Sequence, residues 1–207
     1  MNLKFLTRLL WAIFALALMT VSIIYVRQRQ AAESTALPVI AKVPEFTLTE
    51  SSGQPFGSND LRGKIWIADF IFTRCAGTCP VMTTHMSELQ AELEKDGVDD
   101  VKLVSFTVDP ENDTPEVLQR FAKGYGASQK RWYFLTGPGK EIQTLASKGF
   151  MLSAASGNGA EEPIIHSIRF VLVDRQGRIR AYYDGTEPES GAQIMRDVRK
   201  LLAEESS

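Results

Sequence analysis

Cys75 and Cys79 are the only two cysteines among 207 residues. Two thiols cannot build a multi-disulfide framework, and a chain of this length does not need one to bury a core, so their spacing points to chemistry rather than to a staple. They lie in Thr73-Arg74-Cys75-Ala76-Gly77-Thr78-Cys79-Pro80, between an apolar run at 65–72 and a helical pattern with Met82, Met86, Leu89 and Leu93 on one face. Ligands in α/β sheets collect beyond the carboxyl ends of strands, where this loop falls. Pro80 suits the first position of the helix, so both thiols are expected at a helix N-terminus. There the unpaired amides and the macrodipole favour negative charge, which lowers thiol pKa and raises the thiolate fraction. A thiolate serves either nucleophilic attack or metal binding. Three intervening residues distinguish the loop from the C-x-x-C redox motif and allow both sulfurs to converge on one ion. The plain alternative is two buried thiols acting as small hydrophobes.

The elements that must hold this loop alternate along the chain. Short strands at 46–49 and 54–56 flank Ser51-Ser52-Gly53 as a hairpin, and 65–72 reads as a strand buried on both faces. A helix over 80–95 follows, then a strand at 101–108. Thr114-Pro115 opens the next helix, with Asp113 or Thr114 as its cap and Val117, Leu118, Phe121, Ala122 and Tyr125 as its core stripe. A strand at 132–135 and a short helix at 140–148 come next. Strands at 168–173 and 178–183 flank the turn Asp174-Arg175-Gln176-Gly177, and a helix over 188–204 closes the chain with Ile194, Met195, Val198, Leu201 and Leu202 inward. This is the element order of a thioredoxin-like α/β sheet with an N-terminal β-hairpin extension.

Residues 9–26 form an eighteen-residue run without a charge, and at the helical rise this spans nearly the whole hydrocarbon layer of roughly 30 Å. Arg27-Gln28-Arg29-Gln30 follows before Ala31-Ala32, a poor context for signal cleavage, so a retained transmembrane helix is favoured over a cleaved signal peptide. Lys4 and Arg8 on one side balance Arg27 and Arg29 on the other, so flanking charge does not set the orientation. No Arg- and Ser-rich transit sequence precedes the run, which favours a bacterial inner membrane. The expected organisation is an anchor with its flanks at 1–29, a tether at 30–42 and a globular domain at 43–207. Of 23 basic and 25 acidic residues, those four basic ones flank the anchor, leaving 19 basic residues against 25 acidic. That excess of acid argues against nucleic acid as a partner.

Three stretches together carry a resemblance. They are Asp69-Phe70-Ile71-Phe72-Thr73-Arg74-Cys75 through Cys79-Pro80-Val81-Met82, then Ser105-Phe106-Thr107-Val108-Asp109-Pro110-Glu111-Asn112-Asp113-Thr114-Pro115, then His166-Ser167 with Leu172-Val173-Asp174. In this order they resemble the Sco (SenC) family from about Val43 to the C-terminus. The resemblance implies a membrane-anchored, thioredoxin-like, copper-binding protein that serves assembly of the dinuclear copper centre of cytochrome c oxidase subunit II. It implies Cys75, Cys79 and His166 as metal ligands and Asp109 as an acidic residue near the site. Ala76 stands where many members carry proline, and 153–162 departs from the usual approach to the histidine, while the ligand set is intact.

Two thiolates and one imidazole make a soft set suited to Cu(I) and able to hold Cu(II), whereas structural zinc takes four closed ligands. His85, the other histidine, follows Cys79 by six residues, about 600° of rotation and about 9 Å of rise along a helix, and points elsewhere. Met82 and Met86 share the stripe of Leu89 and Leu93, so they read as core rather than as thioether ligands. Asp109 reads equally as an acceptor orienting His166 or the cysteine loop and as a turn residue before Pro110. The expected activity is that of a copper metallochaperone acting on subunit II or a similar copper-receiving client from the periplasmic face. The alternatives are a thiol–disulfide reductase of the client's copper-ligand cysteines, using Cys75 and Cys79 catalytically, and a redox or copper sensor.

Overall fold

Strand β4 (Ile65–Ile71) is buried along its whole length, because its near-continuous apolar sequence meets packing on both faces of the sheet. In the computed structural model, which describes residues 11, 14–23, 36–152 and 167–204, it stands near the middle of an eight-stranded sheet. The other strands are β1 (Ala41–Lys42), β2 (Thr47–Glu50), β3 (Pro55–Gly57), β5 (Val101–Thr107), β6 (Trp132–Thr136), β7 (Arg169–Val173) and β8 (Arg178–Asp184). Their order across the sheet is β1-β8-β7-β4-β5-β6-β2-β3. β4 pairs parallel with β5, in register from Ile65↔Val101 to Ile71↔Thr107, and antiparallel with β7. β6 continues the parallel set, and β7 and β8 form the antiparallel hairpin.

The helices are α1 (Cys79–Lys95), α2 (Pro115–Gly124), α3 (Gly139–Thr144) and α4 (Ser190–Ala203). Strand alternation divides the core in two. Ile65, Ile67 and Ile71 of β4 pack with Met82, Met86, Leu89 and Leu93 of α1 and with Ile194, Met195, Val198 and Leu201 of α4. Trp66, Ala68 and Phe70 face the other way, onto Phe106, Phe150, Ile142 and Leu145. The parallel β4-α1-β5-α2-β6 run followed by a hairpin and α4 is the thioredoxin-like order, and β2 and β3 add the N-terminal hairpin at the β6 edge.

Two local differences from the sequence reading have physical causes. Val43 is the expected start of the domain, yet Ile40 N–H donates to Ile179 O at 2.9 Å and Ala41–Lys42 pair with β8, so the ladder takes in the end of the tether. An open edge on β8 attracts any extended segment that reaches it. The helix expected at 140–148 is instead α3 followed by a π-helical turn at Leu145–Gly149. The wider turn puts Leu145, Ala146 and Gly149 in the core.

The chain divides into two units, Met1–Ala36 and Leu37–Ser207. In the first, residues 14–23 are helical, and Phe14, Leu16, Leu18, Met19, Val21 and Ile23 are exposed. Among the described residues no helix is long and apolar enough to cross a membrane; the span read from the sequence, 9–26, extends outside them.

Candidate metal and thiol site

The loop from β4 to α1 carries both cysteines. Cys75 N–H donates to Phe72 O at 3.2 Å, turning the chain out of the strand, and Gly77 N–H donates to Cys75 Sγ at 3.4 Å. α1 starts at Cys79 itself, with Thr78 as its N-cap residue and a proline in its first turn. Both cysteines are free thiols, Cys75 half-buried and Cys79 buried.

The expectation that the helix terminus lowers both thiols is corrected here. Burial pushes Cys79 up to about 12, outweighing the Phe72 backbone, and the neighbouring Cys75 and Asp69 charges push the same way. Burial also opposes ionisation of Cys75, but the Cys79 amide and thiol and the amides of Gly77 and Thr78 together bring it below the ordinary thiol value. Desolvation outweighs hydrogen bonding at the buried sulfur and loses to it at the more open one. The pair therefore holds one thiolate-prone sulfur facing outward and one protonated sulfur behind it.

Two aspartates fasten the loop to the end of β5. Arg74 donates to Asp109 Oδ2 from Nε at 3.1 Å and from Nη2 at 2.7 Å, and Asn112 Nδ2 donates to Oδ1 at 2.8 Å. Asp109 thus acts on the residue immediately before Cys75. Asp113 is fully buried and accepts from Thr73 N–H at 3.1 Å, from Thr73 Oγ1 at 2.5 Å and from Thr107 Oγ1 at 2.5 Å. It is not the helix cap: Thr114 is, its hydroxyl accepting from Val117 N–H at 3.4 Å. Nothing in the spacing marks Asp113 for this role, since its partner Thr73 lies 40 residues away; the hint was an aspartate beside an already sufficient threonine cap.

Asp69 is a further residue that the sequence reading did not single out. It sits in β4 among isoleucines, fully buried, with neither carboxyl oxygen in a hydrogen bond. Burial raises its pKa to about 7, and the Ser105 hydroxyl across the β4–β5 register offsets this only partly, without reaching hydrogen-bond geometry.

Met82 and Met86 are fully buried in the core stripe, as their spacing predicts. His85 turns to the far end of the β7–β8 hairpin, its Nδ1 2.8 Å from Gly185 O. Among the described residues no three His, Cys, Asp or Glu side chains converge as a metal-ligand set, so His85 does not join the cysteines. His166 lies outside the described residues; the described chain resumes at Ser167.

A model of the SCO1/SenC family matches residues 35–203. The SCO1 protein homolog of Bacillus subtilis is 39% identical over 163 residues, covering 78% of this chain and 83% of its own. The structure of BsSco, a member of the Sco family of cytochrome c oxidase assembly proteins in which a disulfide switch is identified, superposes with a TM-score of 0.71 at 37% identity, covering 81% of this chain and 98% of that one. ScoI of Bradyrhizobium japonicum, solved with copper bound, shares the fold at a TM-score of 0.61 and 24% identity, covering 75% of this chain and 99% of that one. With a thiol pair between β4 and α1 and this match over most of its length, the chain belongs to the SCO1/SenC family.

Proposed function

We propose that this protein is a copper metallochaperone for the dinuclear copper centre of cytochrome c oxidase, with Cys75, Cys79 and His166 as its ligands. The observation that carries the reading is the placement of two free thiols where β4 hands over to α1, in a chain that matches the SCO1/SenC family over residues 35–203. Cys75 offers the more readily ionised sulfur to an incoming ion, and Cys79 is expected to give up its proton when a cation compensates the charge being buried. Two sulfurs and an imidazole fit a soft ion that must later leave. Asp109 and Asp113 support the reading by holding Arg74 and Thr73, on which the position of Cys75 depends.

The proposed setting is the periplasmic face of a bacterial inner membrane, with the uncharged apolar run at 9–26 as a single-pass anchor. A copper-receiving subunit II, or a client with similar ligands, is the partner.

A second reading is favoured by the same asymmetry. An open, low-pKa Cys75 backed by a buried Cys79 suits a thiol–disulfide reductase, in which the first attacks a client disulfide and the second resolves the mixed disulfide.

Anaerobic titration of reduced protein tests the first reading. One copper per chain is expected, lost in Cys75→Ser and in Cys79→Ser. His166→Ala is expected to weaken Cu(II) more than Cu(I), because two thiolates still hold Cu(I) in linear geometry. In an oxidase-assembly assay the chaperone requires His166. Full assembly with His166→Ala, together with failure of both cysteine variants and copper-independent reduction of client disulfides, establishes the reductase instead.

A further inference from the structure

Thr107 is the last residue of β5, fully buried and in register with Ile71, the last of β4. Its hydroxyl works in both directions. Thr107 Oγ1 donates to Asp113 Oδ2 at 2.5 Å and accepts from Asp109 N–H at 3.0 Å, so the chain leaving β5 is folded back onto its own end from two points. Asn112 N–H and Asp113 N–H both donate to Asp109 O, at 3.1 Å and 2.9 Å, and tighten the same turn. From this turn the two carboxylates cross to the other strand end, where Asp113 accepts from Thr73 N–H and Thr73 Oγ1 and Asp109 accepts from Arg74. Thr73 and Arg74 are consecutive, so the bonds close a circuit that runs from Thr73 through Asp113, Thr107 and Asp109 to Arg74 and back along the chain. A carboxylate only accepts and an amide N–H only donates, so the group that joins them must do both, which a hydroxyl can and an apolar side chain of the same shape cannot. The residue carried next on this fixed backbone is Cys75. Cys79 needs no such device, because it is the first residue of α1.

We propose that Thr107 is a positioning residue for Cys75: its hydroxyl joins the two aspartates into one clasp, and the clasp holds the Cys75 sulfur where it meets Cys79, so that the two act as a pair. This rests on the view, common to both readings above, that the thiol pair is the working site. A loop held at both ends presents its sulfurs to each other at a high effective concentration. With the circuit cut, Cys75 stays a competent thiol by itself, and any step that needs both sulfurs at once loses that advantage.

The test uses the full-length chain in detergent, without copper, equilibrated against glutathione at a series of thiol-to-disulfide ratios. Closing the pair joins Cys75 Sγ to Cys79 Sγ and removes two electrons and two protons, which one glutathione disulfide takes up as it becomes two glutathione thiols. Thr107→Val keeps the shape and removes the hydroxyl; Thr107→Ser keeps the hydroxyl and removes only the methyl group. Thr107→Val is expected to lower the equilibrium constant for closure about tenfold, a rise of about 30 mV in reduction potential, and to speed hydrogen exchange at the Thr73 and Asp109 amides. Thr107→Ser is expected to keep both properties near wild type. A potential compares two folded forms, so a loss of stability common to both cancels and a merely structural contribution leaves it unmoved. If Thr107→Val does not fold, Thr73→Val cuts the same circuit at Asp113 Oδ1 and carries the same expected shift. An unchanged potential in the variant without the hydroxyl overturns the proposal, as does a Thr107→Ser variant that shifts as far as Thr107→Val. A wild type whose thiols do not close overturns the view of the pair instead. Exchange at the Thr73 amide then decides the proposal: faster exchange in Thr107→Val upholds the clasp, and equal exchange overturns it.

Discussion

Cys75 and Cys79 share one side-chain chemistry and one loop, and burial drives their acidities apart. Alkylation of the reduced protein at pH 8 is therefore expected to modify Cys75 faster than Cys79, by about tenfold or more. Peptide mass spectrometry after a timed iodoacetamide pulse reads this, and equal labelling would show that the buried sulfur is open. Asp69 makes the opposite kind of statement. Its folded pKa of about 7 lies above its unfolded value of 3.8, so below about pH 4 both states hold the proton and stability is complete. As pH rises the unfolded chain ionises first, and stability drains away until Asp69 itself ionises near 7. Asp69→Asn is expected to flatten that decline and to be more stable than wild type at pH 8, by on the order of 4 kcal/mol at most. Urea unfolding across pH 4 to 9 measures it. Parallel profiles for the two proteins would mean that Asp69 is ionised and compensated in the fold.

At the scale of elements, the site depends on how strand ends are tied to one another. Asp113 joins Thr73, the second residue after β4, to the end of β5, and Asp109 joins Arg74 to the same turn. A second tie lies in Arg180 of β8. Its guanidinium donates to Asp174 at 3.0 Å, to Glu204 beyond α4 at 2.8 Å and 3.0 Å, and to the carbonyls of Leu37 and Pro38. One buried cation thus gathers the beginning of the globular unit, the β7–β8 turn and the C-terminal helix. Arg180→Ala leaves Asp174 buried without that partner and is expected to cost about 3–5 kcal/mol in chemical denaturation. A loss below about 1 kcal/mol would place the cluster in the class of solvent-screened surface pairs.

For the whole molecule, the proposed topology has a definite consequence. With the N-terminus cytoplasmic, everything after the anchor lies in the periplasm, so a reporter fused after Ser207 is expected to be reached by reagents that do not cross the inner membrane. Labelling only after the inner membrane is breached would reverse the orientation and remove the protein from the side on which the proposed client receives copper. The acidic excess outside the anchor flanks suits this setting no worse than any other, because net charge bears on solubility and partners rather than on the fold.

Local pattern by itself determined the longer strands and helices, that Cys75 and Cys79 lie where a buried strand hands over to a helix, and that Met82 and Met86 are core. These are properties of neighbours within a few residues, and a period of two or of 3.6 reports them directly. The resemblance supplied His166, and it brought in Asp109, whose partner is Arg74. Only the tertiary structure decided the rest. The acidity of Cys79 depends on desolvation by residues from several elements, and Asp113 is defined by Thr73, 40 residues away. Ala41–Lys42 become a strand because β8 presents an unpaired edge, and Arg180 finds the Leu37 carbonyl across 143 residues. Burial and hydrogen-bond partnership are sums over neighbours in space, so no window along the chain contains them.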